Sequence, residues 1–250
     1  MEVESRSYQI HYETWGDGPP LVLVSGIFQW IDNWLDAGIP QHFSRNRRVI
    51  AIDPLGHGKS DKPHNAGAYH EDDLAADVIA VLDAESIDAA PLWGYSKGGR
   101  IAYITAQLHP ERISALIVGG AAAWSASEAG PRYGQLAAAL DRSSDELFNA
   151  IGVTDVEDRR DLIDHNDLKA VTAAMQGSAE APVDIRPDAI RCPSLLYFGS
   201  VESWADRARA DAGRLGARLH VLAGKNHGET FEAGAEVIPV VEEFLAQAQR

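Results

Sequence analysis

A single cysteine, Cys192, leaves this chain of 250 residues without a partner for an internal disulfide, so the fold must stand on packing rather than covalent staples. Cys192 precedes Pro193 at the start of an apolar run, where packing is its expected role. No apolar stretch reaches the ~20 residues that cross a bilayer. The start, Met1-Glu2-Val3-Glu4-Ser5-Arg6, has no signal-peptide core, and the expectation is a cytoplasmic protein with no membrane partner. Positive charge is scarce, with 22 Lys plus Arg against 37 Asp plus Glu and a net charge of −15. That excess of one sign argues against nucleic acid as a partner. No segment is low-complexity or repeats at a solenoid period. There is no His-Glu-x-x-His or paired Cys-x-x-Cys, and the acidic run Asp155, Glu157, Asp158, Asp161, Asp164 lacks the glycine and spacing of a calcium loop, so no metal is implied. Gly58-Lys59-Ser60 imitates the end of a phosphate-binding loop, but the first glycine that loop needs would fall at Asp53, and nucleotide binding is not supported.

What the chain does have is Gly94-Tyr95-Ser96-Lys97-Gly98, a serine between two spaced glycines. It follows the apolar run Ala90 to Trp93 and precedes a helical stretch from Arg100 to Leu108. A turn that sharp between strand and helix requires neighbours with little or no side chain, and it points the hydroxyl outwards. The rest of the chain alternates short apolar strands with longer helical stretches, which predicts a mostly parallel sheet. Strands are expected at Tyr8 to Thr14, as an antiparallel start, then at Leu21 to Val24, Val49 to Asp53, Ala115 to Gly120, Ser194 to Gly199 and Ala217 to Leu222. Leu74, Val78, Val81 and Leu82 place an amphipathic helix over His70 to Glu85. Trp30 to Phe43 is expected to be helical in part, Ala205 to Leu215 helical throughout, and Glu232 to Ala248 the last helix.

Residues 121–190 break this rhythm with helical pieces and no convincing strand. The expected organisation is a core of 1–120 and 191–250 with 121–190 inserted as a helical cap. The insertion holds 13 Asp plus Glu against six Lys plus Arg. Such an excess reads as a solvated helical face, or as a lid that disfavours anionic substrates.

Taken together, these segments resemble the α/β-hydrolases over nearly the whole length. Asp53-Pro54-Leu55-Gly56-His57-Gly58-Lys59-Ser60 is similar to the family's D-x-x-G-x-G-x-S stretch. Leu21 to Gly26 resembles the strand and turn that usually end in His-Gly, with Ser25 in the histidine's place. Ile190 to Gly199 resembles the strand before the acidic member of the catalytic set. The resemblance implies an α/β fold with a capped, mostly parallel sheet, and a serine enzyme that needs no cofactor. Its chain order of nucleophile, acid, base makes Ser96 the nucleophile and sends the search for a base to the C-terminus. His220 falls inside the alternating run Arg218 to Val221, whereas His227 lies in the loop after it and is the expected base. Glu202, three residues past the strand-ending Gly199, is the expected acid where most of the family carries Asp, and Asp206 is the competitor. The resemblance further assigns the oxyanion donors to the backbone N–H groups of Ile27 and Lys97. The Lys97 side chain opposes the helix dipole and should find a carboxylate or solvent. Phe28, Trp30, Tyr95 and Trp124, together with Trp34, suggest a mainly apolar pocket. The expected substrate is a small, largely apolar carboxylic ester or lactone. A carbon–carbon bond hydrolase, a cofactor-free perhydrolase and a non-catalytic ligand receptor are the alternatives, and the oligomeric state is not readable.

Overall fold

The computed structural model describes residues 1–151, 153 and 155–248. Its strands are β1 (Glu2–Ser5), β2 (Tyr8–Trp15), β3 (Pro20–Val24), β4 (Arg48–Ile52), β5 (Ala90–Tyr95), β6 (Ile113–Gly119), β7 (Ser194–Gly199) and β8 (Arg218–Leu222). They form one sheet in the order β1-β2-β4-β3-β5-β6-β7-β8. β1 and β2 pair antiparallel with each other and β2 antiparallel with β4, while the neighbours from β4 through β8 run parallel. β1 goes beyond the sequence expectation, since its charged alternation is stabilised by the register with β2, with Val3 against the core and Ser5 buried.

The parallel strands are apolar on both faces because both faces are covered. Val22, Val24, Ile50, Ile52 and Leu92 point into one core with Leu74, Val78 and Ile101. Their alternate neighbours Leu21, Leu23, Val49, Ala51 and Trp93 point into a second core with Trp34, Phe43, Val241 and Phe244. The first face is covered by α3 (Glu71–Ala84) and α4 (Lys97–Leu108), the second by α1 (Ile31–Asp36), α2 (Ile39–Phe43) and α11 (Gly234–Ala248). α9 (Ala205–Leu215) packs Ala205 and Ala208 on Phe198 of β7. No helix of the described residues is long and apolar enough to cross a membrane.

Between β6 and β7 the chain forms α5 (Ala126–Arg142), α6 (Ser144–Ile151), α7 (Val156–His165) and α8 (Leu168–Glu180). These helices have a small core of their own, where Leu140, Leu147, Phe148, Val171 and Met175 surround Phe28 from the sheet's loop. The chain runs from β3 to β4 on one side and returns to β5 on the other. That reversal opens a crevice at the carboxyl ends of β3 and β5, the place where open α/β sheets put their chemistry.

Candidate active site

Ser96 sits at this crevice, between the last residue of β5 and the first of α4, with φ 54° and ψ −119°. A non-glycine residue there is strained, which is the signature of a sharp strand-to-helix turn. The flanking glycines are steric necessities. A Cβ on Gly94 would run into the carbonyl of Gly98, and one on Gly98 into the carbonyls of Val24 and Ser25. The pentapeptide read from the sequence thus lets α4 press onto β3 and β5.

His227 Nε2 lies 2.9 Å from Ser96 Oγ. Its Nδ1 lies 3.0 Å from Glu202 Oε2, and the other carboxylate oxygen, Oε1, accepts from the Gly199 N–H at 2.8 Å. The glutamate reaches the histidine because its longer side chain folds back over its own turn, closed by Glu202 N–H donating to the Gly199 carbonyl at 3.1 Å. Glu202 is buried. Asp206 is an exposed residue of α9, and His220 lies on β8. His227 is the first residue of α10 (His227–Glu232), whose N-cap Asn226 accepts from Glu229 N–H. The loop expected over Gly224 to Gly228 is therefore two residues shorter than read.

Tyr95, expected as a substrate wall, is corrected by its packing. It is 1% exposed, donates its hydroxyl to the His227 carbonyl and places its ring 5.1 Å from the imidazole. It therefore props the histidine from below. Trp204 flanks the imidazole on another side at 5.4 Å, edge to face. Gly120 at the end of β6 also belongs to the site, since a Cβ there would press on Tyr95 and on His227 Cε1. Sequence reasoning missed Trp204 and Gly120, and only the Gly119-Gly120 pair ending a strand hinted at either.

Gly26 to Phe28 borders the serine from β3. Gly26 N–H donates to Gln29 Oε1 at 3.1 Å, and a Cβ on Gly26 would stand 3.0 Å from Ser96 Cβ. The Gly26 backbone thus lies against the Ser96 side chain, with Ile27 next to it in the chain. Ser25 accepts from Trp34 Nε1 at 3.1 Å, which fixes the loop from inside and puts Trp34 in the core. Phe28 is likewise corrected: at 3% exposed it fills the core of the helical insertion. Trp30 stacks on His165 of α7 at 5.5 Å, and Trp124 lies under the guanidiniums of Arg132 and Arg207. A groove of about 430 Å³ between His64 and the insertion's helices, lined also by Leu140 and Gln176 among others, contributes none of these residues.

The 53–60 stretch is structural. Asp53 accepts from Ile31 N–H, Lys59 N–H and His11 Nδ1, each at 2.9 Å. Inside it, burial pushes the His57 imidazole down to about 4.

Lys97 finds a carboxylate. Its ammonium meets Glu71 Oε1 at 3.1 Å and Ser178 of α8, and lies 4.3 Å from the Tyr133 ring of α5. Glu71, fully buried, also accepts from Arg100 Nε and Nη2 and from Val183 N–H. Arg100 in turn donates to the carbonyls of Trp124 and Val183. One carboxylate thereby ties the helix behind Ser96 to both crossings of the insertion. Burial acts to raise the Glu71 carboxyl, but Lys97 and Arg100 with the Val183 N–H outweigh it and hold it below the ordinary value. Glu71→Gln should lower the unfolding free energy by about 3–5 kcal/mol at pH 7, because two buried cations lose their counter-charge. A depressed carboxyl contributes stability above its unfolded value of ~4.3 and loses it as pH falls. Urea unfolding should therefore show the gap between variant and parent closing towards acid; a gap equal at pH 7 and at acid pH would remove the charge from the explanation.

A mostly parallel sheet with a strained serine at its switch point is the arrangement of the α/β-hydrolase class. The family pattern of the alpha/beta hydrolase fold matches residues 19–151, just over half of the chain, and the chain belongs to that family. It is similar to 2-hydroxymuconate semialdehyde hydrolase of Pseudomonas sp. (strain CF600), with 38% identity over 108 residues, 43% of this chain and 38% of that one. The matches to this and two other curated relatives span 38% to 65% of those proteins' length. Among solved structures it is similar to the enol-lactonase of Burkholderia xenovorans LB400, at a TM-score of 0.79 and 23% identity over 98% of this chain and 100% of that one. It is also similar to Est816, an N-acyl homoserine lactone degrading enzyme, at a TM-score of 0.75 and 26% identity over 98% of this chain and 100% of that one.

Proposed function

We infer that Ser96, His227 and Glu202 act as nucleophile, base and orienting acid in the cleavage of a carboxylic ester or lactone. The observation that carries this reading is the continuous chain of contacts, 2.9 Å from hydroxyl to imidazole and 3.0 Å from imidazole to carboxylate. Ser96 Oγ attacks the carbonyl carbon while its proton passes to His227 Nε2, and the carbonyl π electrons move onto oxygen. The N–H groups of Ile27 and Lys97 receive that oxyanion. Collapse expels the alcohol, which takes the proton from His227 and leaves an acyl group on Ser96. Water, deprotonated by the same imidazole, then releases the acid and restores the hydroxyl. Residues 121–190 serve as the cap over this site, with Trp30 and Trp124 at its margin.

A fluorophosphonate probe should label the chain once, at Ser96, and p-nitrophenyl butyrate should be turned over in the same preparation. Absence of both label and turnover would favour a ligand receptor. A second reading, carbon–carbon bond hydrolysis, draws on the identity to the semialdehyde hydrolase. It predicts that a vinylogous diketone is cleaved faster than any member of a panel of p-nitrophenyl esters and acyl lactones.

A further inference from the structure

Arg132 stands out because its charge is unanswered. It projects from α5 and is exposed, with its guanidinium 5.2 Å from the Trp204 ring centre and 5.8 Å from that of Trp124. The nearby carboxylates are committed elsewhere. Glu128 pairs with Arg207 and accepts from Ser125, contacts that pull its carboxyl down to about 2. Asp211 accepts from Arg207 and from Ala123 N–H. No acidic side chain of the described residues pairs with Arg132.

The shelf under this cation leads to the site. Trp204 packs against the His227 imidazole at 5.4 Å, and that imidazole is one third exposed. The Trp204 indole Nε1 is buried and has no acceptor among the described residues. A cation without an anion therefore stands on the same indole that packs against the histidine. The ligand chemistry that answers this cation is a carboxylate, which a guanidinium is shaped to hold through two parallel hydrogen bonds.

We propose that Arg132, on its Trp204 and Trp124 shelf, is a specificity-determining residue that binds a free carboxylate carried by the substrate, a short acyl chain away from the scissile carbonyl. This rests on the ester or lactone reading of Ser96 and deepens it. The net acidity of the insertion does not oppose it, because charges more than about a Debye length away are screened whereas Arg132 would meet its ligand in direct contact.

The test compares kcat/KM for mono-p-nitrophenyl glutarate with that for p-nitrophenyl butyrate, at low salt, in the full chain and in Arg132→Gln, Arg132→Lys and Arg160→Gln. Arg132→Gln should lower the glutarate-to-butyrate ratio by about tenfold to a hundredfold, the span of one charge-assisted contact, with the glutarate KM rising. Arg132→Lys should keep part of the preference. Arg160→Gln removes the same charge from an exposed position of α7 and should leave the ratio in place. An unchanged ratio in Arg132→Gln, or an equal fall in Arg160→Gln, overturns the proposal. Free glutarate titrated against the indole fluorescence of Ser96→Ala reads the same contact without any cleavage, and adding Arg132→Gln should weaken it about tenfold. If Ser96→Ala still turned over both esters, the reading of Ser96 would fall, while the glutarate titration would still decide Arg132.

Discussion

Ser96→Ala is expected to lower kcat for ester hydrolysis by roughly five to six orders of magnitude, the scale seen when the nucleophile of such a set is removed. The expectation follows from a single hydroxyl 2.9 Å from the imidazole that would take its proton. Neither Ser25 nor Ser178 is free to replace it: Ser25 is turned inwards to Trp34 and Ser178 is tied to Lys97. Retention of activity within tenfold of the parent would refute the assignment. Ser96→Gly carries a second expectation. At φ 54° and ψ −119° glycine relieves a conformation that costs a side-chain-bearing residue about 1–2 kcal/mol. The inactive glycine variant should therefore melt a few degrees higher than the parent, roughly 2–4 °C per kcal/mol in a domain of this size. Calorimetry on parent, Ser96→Ala and Ser96→Gly separates the hydroxyl's chemistry from the backbone's strain.

Glu202→Gln should lower kcat by on the order of 10⁴-fold, through the tautomer of His227 rather than through lost packing. Both carboxylate oxygens accept, one from His227 Nδ1–H and one from Gly199 N–H. A carboxamide has one oxygen, so one of those donors must face an NH₂ group. If the amide oxygen keeps the backbone N–H, the imidazole turns its proton to Nε2 and can no longer accept one from Ser96. Asp206→Asn, on the exposed side of α9, should keep parental activity. The reverse pattern, with Asp206→Asn inactive and Glu202→Gln active, would move the acid to Asp206.

The Gly-x-Ser-x-Gly run was legible because its meaning is local. Five residues specify a turn whose glycines are demanded by carbonyls only a few ångströms away. The strands β3 to β7 were legible for a related reason, as doubly covered strands are apolar at nearly every position. Lys97 was half legible, since a cation opposing a helix dipole had to find an anion. That its anion is Glu71 was not, because Glu71 reads as an ordinary acid in the first turn of α3 and nothing near it in the chain announces complete burial. Tyr95 and Phe28 were misread for the same reason, as a loop aromatic carries no mark of whether its ring faces a ligand, a histidine or another helix.

Residue order alone was enough for β2 to β8 and the elbow, since periodicity and turn chemistry act between near neighbours, and the resemblance to the α/β-hydrolases then singled out Ser96, His227 and Glu202 as the residues worth bringing together. The chain's path in three dimensions settled the rest: the fold-back of Glu202 onto Gly199, the Tyr95 prop, the ionic knot at Glu71 and the unpaired Arg132. Each depends on the distance between groups far apart along the polymer, and electrostatic and packing energies are functions of that distance, which no local pattern encodes.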